Sequence, residues 1–232
     1  MTIRSILFYA FLCVWTIFMG ITCFPYLFIS NSYLRKPINV WILGIFKLLK
    51  ICCNITYEIR GKENIPNYAV LVASKHQSAF ETFALFLCLD KSIFIHKKQL
   101  FFIPVFGQYL KKVNMISIDR SEGTLAMRKI LKEAKSKISE GYSIIIFPEG
   151  TRKKPDENPD YKTGFIGIYN EVKSEILPVA VNSGYCWPKH TFIKRPGHII
   201  IQILKTIPAG LKRSDVLNRV QLVIEEETKK IK

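Results

Sequence analysis

Between Ile6 and Ile29 the chain runs for 24 residues without a charged side chain, rich in Phe, Leu and Ile. A helix rises about 1.5 Å per residue and a hydrocarbon core is about 30 Å thick, so this run is long enough to cross a membrane. A cleaved secretory signal would have a shorter apolar region ending at a small-residue cleavage site. Thr22-Cys23-Phe24-Pro25 has no such form. The run therefore reads as a retained anchor.

Its flanks differ in charge. Arg4 stands before it, whereas Arg35, Lys36, Lys47 and Lys50 follow. The positive-inside tendency places the remainder of the chain on the cytoplasmic side. A second segment, Ile38 to Ile55, spaces Trp41, Ile45, Leu48, Leu49 and Cys52 close to helical periodicity, with Lys47 and Lys50 between them. It fits a helix lying in the interface or returning through one leaflet. Residues 1–58 are accordingly read as an anchor of one or two hydrophobic helices, and 59–232 as the functional domain.

The 232 residues carry 34 Lys and Arg against 18 Asp and Glu, a net charge of +16. Such an excess favours an anionic membrane surface or nucleic acid as partner. Nucleic acid is disfavoured because no basic stripe is interleaved with exposed aromatics in a recognisable module. The six cysteines have no C-x-x-C spacing and lie mostly in apolar runs, so they read as buried hydrophobes. No metal is expected.

Beyond Gly61, short apolar runs alternate with helix-like stretches. Strand candidates are Tyr68–Ser74, Ser92–His96, Met115–Ile118, Ser143–Phe147, Ile176–Val181 and His198–Leu204. Helices are expected from Ala79 to about Leu89, from a Ser121 cap to Gly141, and from Ser214 onward. The pattern predicts an α/β domain: a mixed, largely parallel sheet with covering helices, preceded by the N-terminal hydrophobic helical anchor. Lys153 to Lys162, with two prolines, reads as a mobile loop.

Two strand ends carry the chemistry. His76-Gln77-Ser78-Ala79-Phe80-Glu81 follows the first strand candidate. An imidazole near neutrality is suited to taking a proton from an alcohol, and a carboxylate on its other nitrogen fixes the tautomer. Residues five apart on one helix diverge by about 140°, so the pair works only if His76 precedes the helix. Ser78-Ala79-Phe80-Glu81 also has the form of a capping box, which gives Glu81 a second reading as a cap alone.

Phe147-Pro148-Glu149-Gly150-Thr151-Arg152 follows another strand. Gly150 allows backbone amides to approach an anion, Thr151 adds a hydroxyl, and Arg152 presents a planar fork to phosphate oxygens. Asp119-Arg120 places a further arginine at a third strand end. Lys97 and Lys98 precede Leu100-Phe101-Phe102, where the cations steer anionic groups and the phenylalanines contact lipid. No G-x-S-x-G elbow, phosphate-binding P-loop or metal-spaced cluster is present.

Across roughly residues 60 to 185 the chain resembles the glycerophospholipid acyltransferase family, and within it the bacterial 1-acyl-sn-glycerol-3-phosphate acyltransferases. The resemblance rests on Lys75 through Glu81, on Lys98 to Pro104 and Gly107 to Arg120, on Phe147 through Arg152, and on Leu177-Pro178-Val179-Ala180. The family pattern usually has aspartate where this chain has Glu81, and the extra methylene changes the reach to the imidazole.

The resemblance implies that the phosphate of lysophosphatidic acid docks among Arg120, Glu149, Gly150, Thr151 and Arg152. His76, partnered by Glu81, takes the proton of the sn-2 hydroxyl as it attacks an acyl thioester, carried by acyl-CoA or acyl carrier protein. Lys98, Phe101, Phe102, Pro104 and Gly107 fall to the acyl donor or the membrane. No cofactor is implied, and the setting is a bacterial inner membrane. Two alternatives stand beside it: acylation of another lysophospholipid or glycerol phosphate, and a non-catalytic basic protein that binds membrane surfaces.

Overall fold

The computed structural model describes residues 1–232 apart from Val105 and Asn158 and the side chains of Ser32 and Arg120. Two helices open the chain, α1 (Thr2–Thr22) and α2 (Arg35–Cys53). The apolar run stops being α-helical at Thr22, because Pro25 sits in the following 3₁₀ turn, Phe24–Phe28. Helix α2 ends at Asn54, which takes the left-handed conformation that a helix end requires.

Among the described residues seven strands follow: β1 (Ile55–Arg60), β2 (Leu71–Ser74), β3 (Ser92–Lys97), β4 (Ile116–Ile118), β5 (Ser143–Ile146), β6 (Ile176–Val181) and β7 (Gly197–Ile203). The connecting helices are α3 (Phe80–Cys88), α4 (Phe106–Lys112), α5 (Thr124–Ser139) and α6 (Thr163–Val172), and α7 (Arg213–Lys230) follows the last strand. These strands form one sheet in the order β1-β7-β6-β2-β5-β3-β4. The five strands from β6 to β4 are parallel. β7 runs against β6, and β1 pairs in parallel with β7, so the sheet is mixed as expected.

The sheet is covered on both faces, which is why β2, β5 and β6 read as continuous apolar runs rather than alternating ones. On one face Val70, Val72, Ile145 and Leu177 meet Ile45 and Leu49 of α2 and Phe80 of α3. On the other, Leu71, Ala73, Ile144 and Ile176 meet Ile130 of α5, Phe165 of α6 and Val220 of α7. Full burial of one such side chain contributes about 1.5–3 kcal/mol. The Ala126, Ile130 and Ala134 stripe of α5 is buried, and its Arg128, Lys129, Lys132 and Lys135 are exposed.

Helix α1 is not free of the domain. Phe8 is fully buried and meets Trp187 edge-on at 5.8 Å, while Tyr9 stacks on Phe192 at 4.5 Å. Trp15 donates to the carbonyl of Trp41 at 2.9 Å and lies so close over Gly44 that a Cβ there would collide with its ring. The opposite flank, including Ile3, Phe11, Val14, Ile17 and Ile21, is exposed. Arg35 at the start of α2 donates to the carbonyls of Phe86 and Leu89, tying α2 to the end of α3.

Candidate active site

Strands β2, β5 and β6 are adjacent and parallel, so their carboxyl ends open on the same edge of the sheet. Ligands collect at such edges in α/β proteins. β2 delivers His76, β5 delivers the Phe147–Arg152 turn, and β6 delivers Ser183. Segments some seventy and one hundred residues apart in sequence meet there.

Nδ1 of His76 lies 2.8 Å from Oε1 of Glu81, a fully buried carboxylate in the first turn of α3. That oxygen also accepts the amides of Gln77 and Ser78, each at 2.7 Å. The second oxygen accepts the hydroxyls of Ser78 at 2.6 Å and Ser183 at 2.7 Å. The amide of Phe80 donates to Ser78 Oγ at 2.9 Å. The capping box and the histidine partnership, alternatives by spacing, are therefore one network. The glutamate closes the helix start and holds the ring with the same oxygen.

Burial on its own would raise the pKa of Glu81. The hydrogen bond and charge of His76, with the hydroxyls of Ser78 and Ser183, outweigh it and hold the carboxyl below its ordinary value. An ionised carboxylate only accepts, so Nδ1 carries the hydrogen that points at Glu81 and Nε2 is the ring nitrogen left for a substrate. The ring is stacked on Phe147 at 3.8 Å with an interplanar angle of 14°. It retains a 15% exposed surface, enough for an alcohol to reach it.

The second motif divides at its glycine. Gly150 adopts a φ of +69°, a conformation that disfavours other residues, and its amide donates to the Phe147 carbonyl at 2.9 Å to close the turn. Thr151 and Arg152 are exposed beyond it. The amide of Lys153 donates to the carbonyl of His76 at 2.7 Å, and Lys189 caps the carbonyl of Arg152 at 2.9 Å. The arginine is thus presented one residue from a direct backbone bond to the histidine.

Glu149, expected at the phosphate with its neighbours, turns inward instead. It is fully buried, and its Oε1 accepts the amide of His76 at 2.8 Å with the ammonium of Lys75 at 3.8 Å. Burial pushes its pKa up to about 7 against the pull of Lys75 and the His76 amide, and the charges of Glu225 and Glu81 add to the rise. A carboxylate in that position suits the backbone and the buried lysine, where at the surface it would repel a phosphate.

The remaining expected residues lie on the neighbouring strand ends. Lys98 pairs with Asp119 at 3.2 Å across β3 and β4. The side chain of Arg120 lies outside the described residues. Phe102 is 77% exposed, Pro104 is exposed, and Phe101 meets His96 edge-on at 4.8 Å. Gly107 is buried where a Cβ would strike the backbone of Phe101. Of the loop from Lys153 to Lys162, expected to be mobile, Asn158 lies outside the described residues; Lys153 binds Glu157 at 2.7 Å, Tyr185 and Lys232 hold Asp156, and Tyr161 is buried. Among the described residues no His, Cys, Asp or Glu cluster could hold a metal.

Ser183 was not marked by any motif. Its signal is positional, since it follows the strand that lies beside β2 in parallel. An apolar cavity of about 120 Å³ also went unread, because helices distant in sequence build it: Met19, Trp41, Phe83, Phe106 and Leu110 are among its lining. Phe94 lines it too, and its ring stacks at 6.3 Å on Phe147, which in turn stacks on His76.

A family model described as Acyltransferase matches residues 56–182. A 1-acyl-sn-glycerol-3-phosphate acyltransferase of Pseudomonas aeruginosa is 33% identical over 204 residues, covering 87% of this chain and 79% of that protein. A protein of the same name from Cocos nucifera is 29% identical over 201 residues, 84% of this chain but 62% of that protein's length. The crystal structure of the 1-acyl-sn-glycerophosphate (LPA) acyltransferase PlsC from Thermotoga maritima superposes with a TM-score of 0.81. It is 24% identical and covers 98% of this chain and 94% of that one, a likeness of fold. With its histidine and arginine turns set on neighbouring strand ends inside the matched region, this chain belongs to the acyltransferase family.

Proposed function

We propose that this acyltransferase moves an acyl group from a thioester, acyl-CoA or acyl carrier protein, to the sn-2 hydroxyl of lysophosphatidic acid, giving phosphatidic acid. Nε2 of His76 takes the hydroxyl proton while the oxygen attacks the thioester carbonyl. The C–S bond then breaks, and the departing thiolate regains the proton from the imidazolium. Glu81 keeps the ring oriented and stabilises its charged form. Such general-base help contributes about 10² to 10⁴ in rate.

The phosphate is assigned to Arg152, Thr151 and the Gly150 turn, with Arg120 at the end of β4, two strands away from β5. The acyl chain is assigned to the apolar cavity, which a stack of Phe94, Phe147 and His76 borders on the catalytic side. Lys98, Phe101 and Phe102 border the donor side. The observation that carries this reading is the His76–Glu81 contact of 2.8 Å at the edge where the Arg152 turn also emerges.

Residues 1–58 serve as the membrane unit and 59–232 as the catalytic domain, with β1 crossing that line to seat α2 against the sheet. The exposed flank of α1, Phe24 and Phe28 enter the lipid, and the lysines and arginines that follow hold the domain to an anionic cytoplasmic leaflet of a bacterial inner membrane. Because one flank of α1 packs on the domain, the catalytic edge stays close to where both lipids reside.

The test is an assay of the purified full-length protein in lipid with a panel of lyso-acceptors and both donor types. Phosphatidic acid formed from lysophosphatidic acid, and lost in His76→Ala with membrane association retained, is the expected result. Near-normal turnover of His76→Ala would eliminate the assignment of the base.

A further inference from the structure

Beneath the His76 loop lies a buried charged cluster that acyl transfer, as described, leaves without a role. Val72 faces the α1–α3 side of the sheet and Ala73 the α5–α7 side, so Lys75, two residues on, falls towards α7. There its fully buried ammonium meets both oxygens of Glu225 at 2.7 Å. Tyr161 donates to the same Glu225 carboxylate at 3.1 Å. On its other side the ammonium stands 3.8 Å from Oε1 of Glu149, the oxygen that accepts the amide of His76.

A buried ammonium needs close partners, and Glu225 supplies the two nearest oxygens. Helix α7 lies beyond the region matched by the family model, which ends at residue 182. Yet its end is bound to the same edge twice more. Asn182 donates to the carbonyl of Ile231 at 2.8 Å, and Lys232 meets Asp156 of the arginine loop at 2.7 Å.

We propose that Glu225 is a positioning residue for the base. Through Lys75 it keeps the Glu149 carboxyl where it grips the His76 backbone, and so fixes the height of the imidazole over the sheet edge. The proposal rests on His76 being the base. It predicts an effect on turnover rather than on substrate capture, because Lys75 and Glu149 are fully buried while Thr151 and Arg152 are exposed.

The test compares wild type with Glu225→Gln, Lys75→Met, the double variant Lys75→Met/Glu225→Met and His76→Ala, all full-length in lipid, with kcat and both KM values taken per folded molecule. Glu225→Gln and Lys75→Met are expected to lower kcat about tenfold with both KM values unchanged, as a small misplacement of a base does. Replacing a buried ion pair by apolar side chains is often neutral for stability, so the double variant keeps its fold. It remains about tenfold slow, since the ammonium that faces Glu149 is then gone.

A folded double variant or Glu225→Gln with kcat within about twofold of wild type overturns the proposal, as does a change confined to KM. Failure of all three cluster variants to fold also overturns it, by reducing the cluster to scaffold. If His76→Ala retains turnover, the reading of the base fails. If it is dead while Glu225→Gln is normal, only the positioning role fails.

Discussion

One carboxylate oxygen of Glu81 lies 2.8 Å from Nδ1 of His76 and also receives the amides of Gln77 and Ser78. The ring is therefore held by the group that starts the helix. Glu81→Gln leaves an acceptor for only part of this set and brings an amide donor against existing donors. Its kcat should fall about 10²- to 10³-fold, with a loss of about 1–3 kcal/mol in stability. Glu81→Asp keeps the charge but is one methylene too short to span from the His76 ring to Ser183. A loss of about tenfold in kcat is expected, read by steady-state kinetics beside thermal melts.

Glu81 and Glu149 have opposite pH dependences. For Glu81 the native pKa is depressed, so its stabilising contribution is present above the ordinary value of 4.5 and is lost as pH falls through the native value. For Glu149 the native pKa is raised to about 7, so the native state holds the proton more tightly than the unfolded chain. Its contribution is complete below 4.5 and is lost as pH rises to about 7. The loss amounts to roughly 3 kcal/mol at most. Glu149→Gln keeps an acceptor for the His76 amide without a charge. Denaturation series across this range should show wild type weakening relative to the variant. Parallel curves would show that Glu149 ionises freely in the fold.

The parts of this fold that were legible were those whose burial makes the sequence uniform. β2, β5 and β6 lie between two helical layers, and each is a short unbroken apolar run. β1 was missed because Glu58 and Arg60 interrupt it, as suits a sheet-edge strand with one exposed face. α6 was missed for its glycines. They let it close on α5, where Cβ atoms at Gly164 and Gly167 would stand 3.0 Å from Met127 and 3.8 Å from Leu131. Ser121 was expected to cap α5. Its amide and hydroxyl bind Asp119 instead, and the helix begins three residues later at Thr124. At the site, His76, Glu81 and Arg152 follow strands in sequence and so were readable. Ser183, Glu225 and the inward turn of Glu149 depend on which strands and helices become neighbours, which no local spacing encodes.

Arg152 is exposed, with its carbonyl fixed by Lys189, so its side chain can be removed without opening the core. Arg152→Ala should raise KM for lysophosphatidic acid at least about tenfold while KM for the acyl donor stays within about twofold. Arg152→Lys should restore only part of the loss, because a point charge lacks the bidentate fork. Equal effects on both KM values would separate this arginine from the phosphate.

The cavity between α1, α2 and α3–α4 makes a prediction about the donor. Leu110 lines it from α4, and Phe94 lines it while stacking towards Phe147, on which the His76 ring lies. On the proposed reading an acyl chain in this cavity extends past Phe94 towards Leu110. Leu110→Trp fills that space. Excluding two methylenes forfeits roughly 1.6 kcal/mol, close to fifteenfold in kcat/KM for a long-chain thioester. A short-chain thioester, which ends before Leu110, should lose less than about twofold. The ratio of the two rates in wild type and variant isolates the cavity from any general loss of fold, since misfolding would lower both alike. An unchanged ratio would place the acyl chain elsewhere.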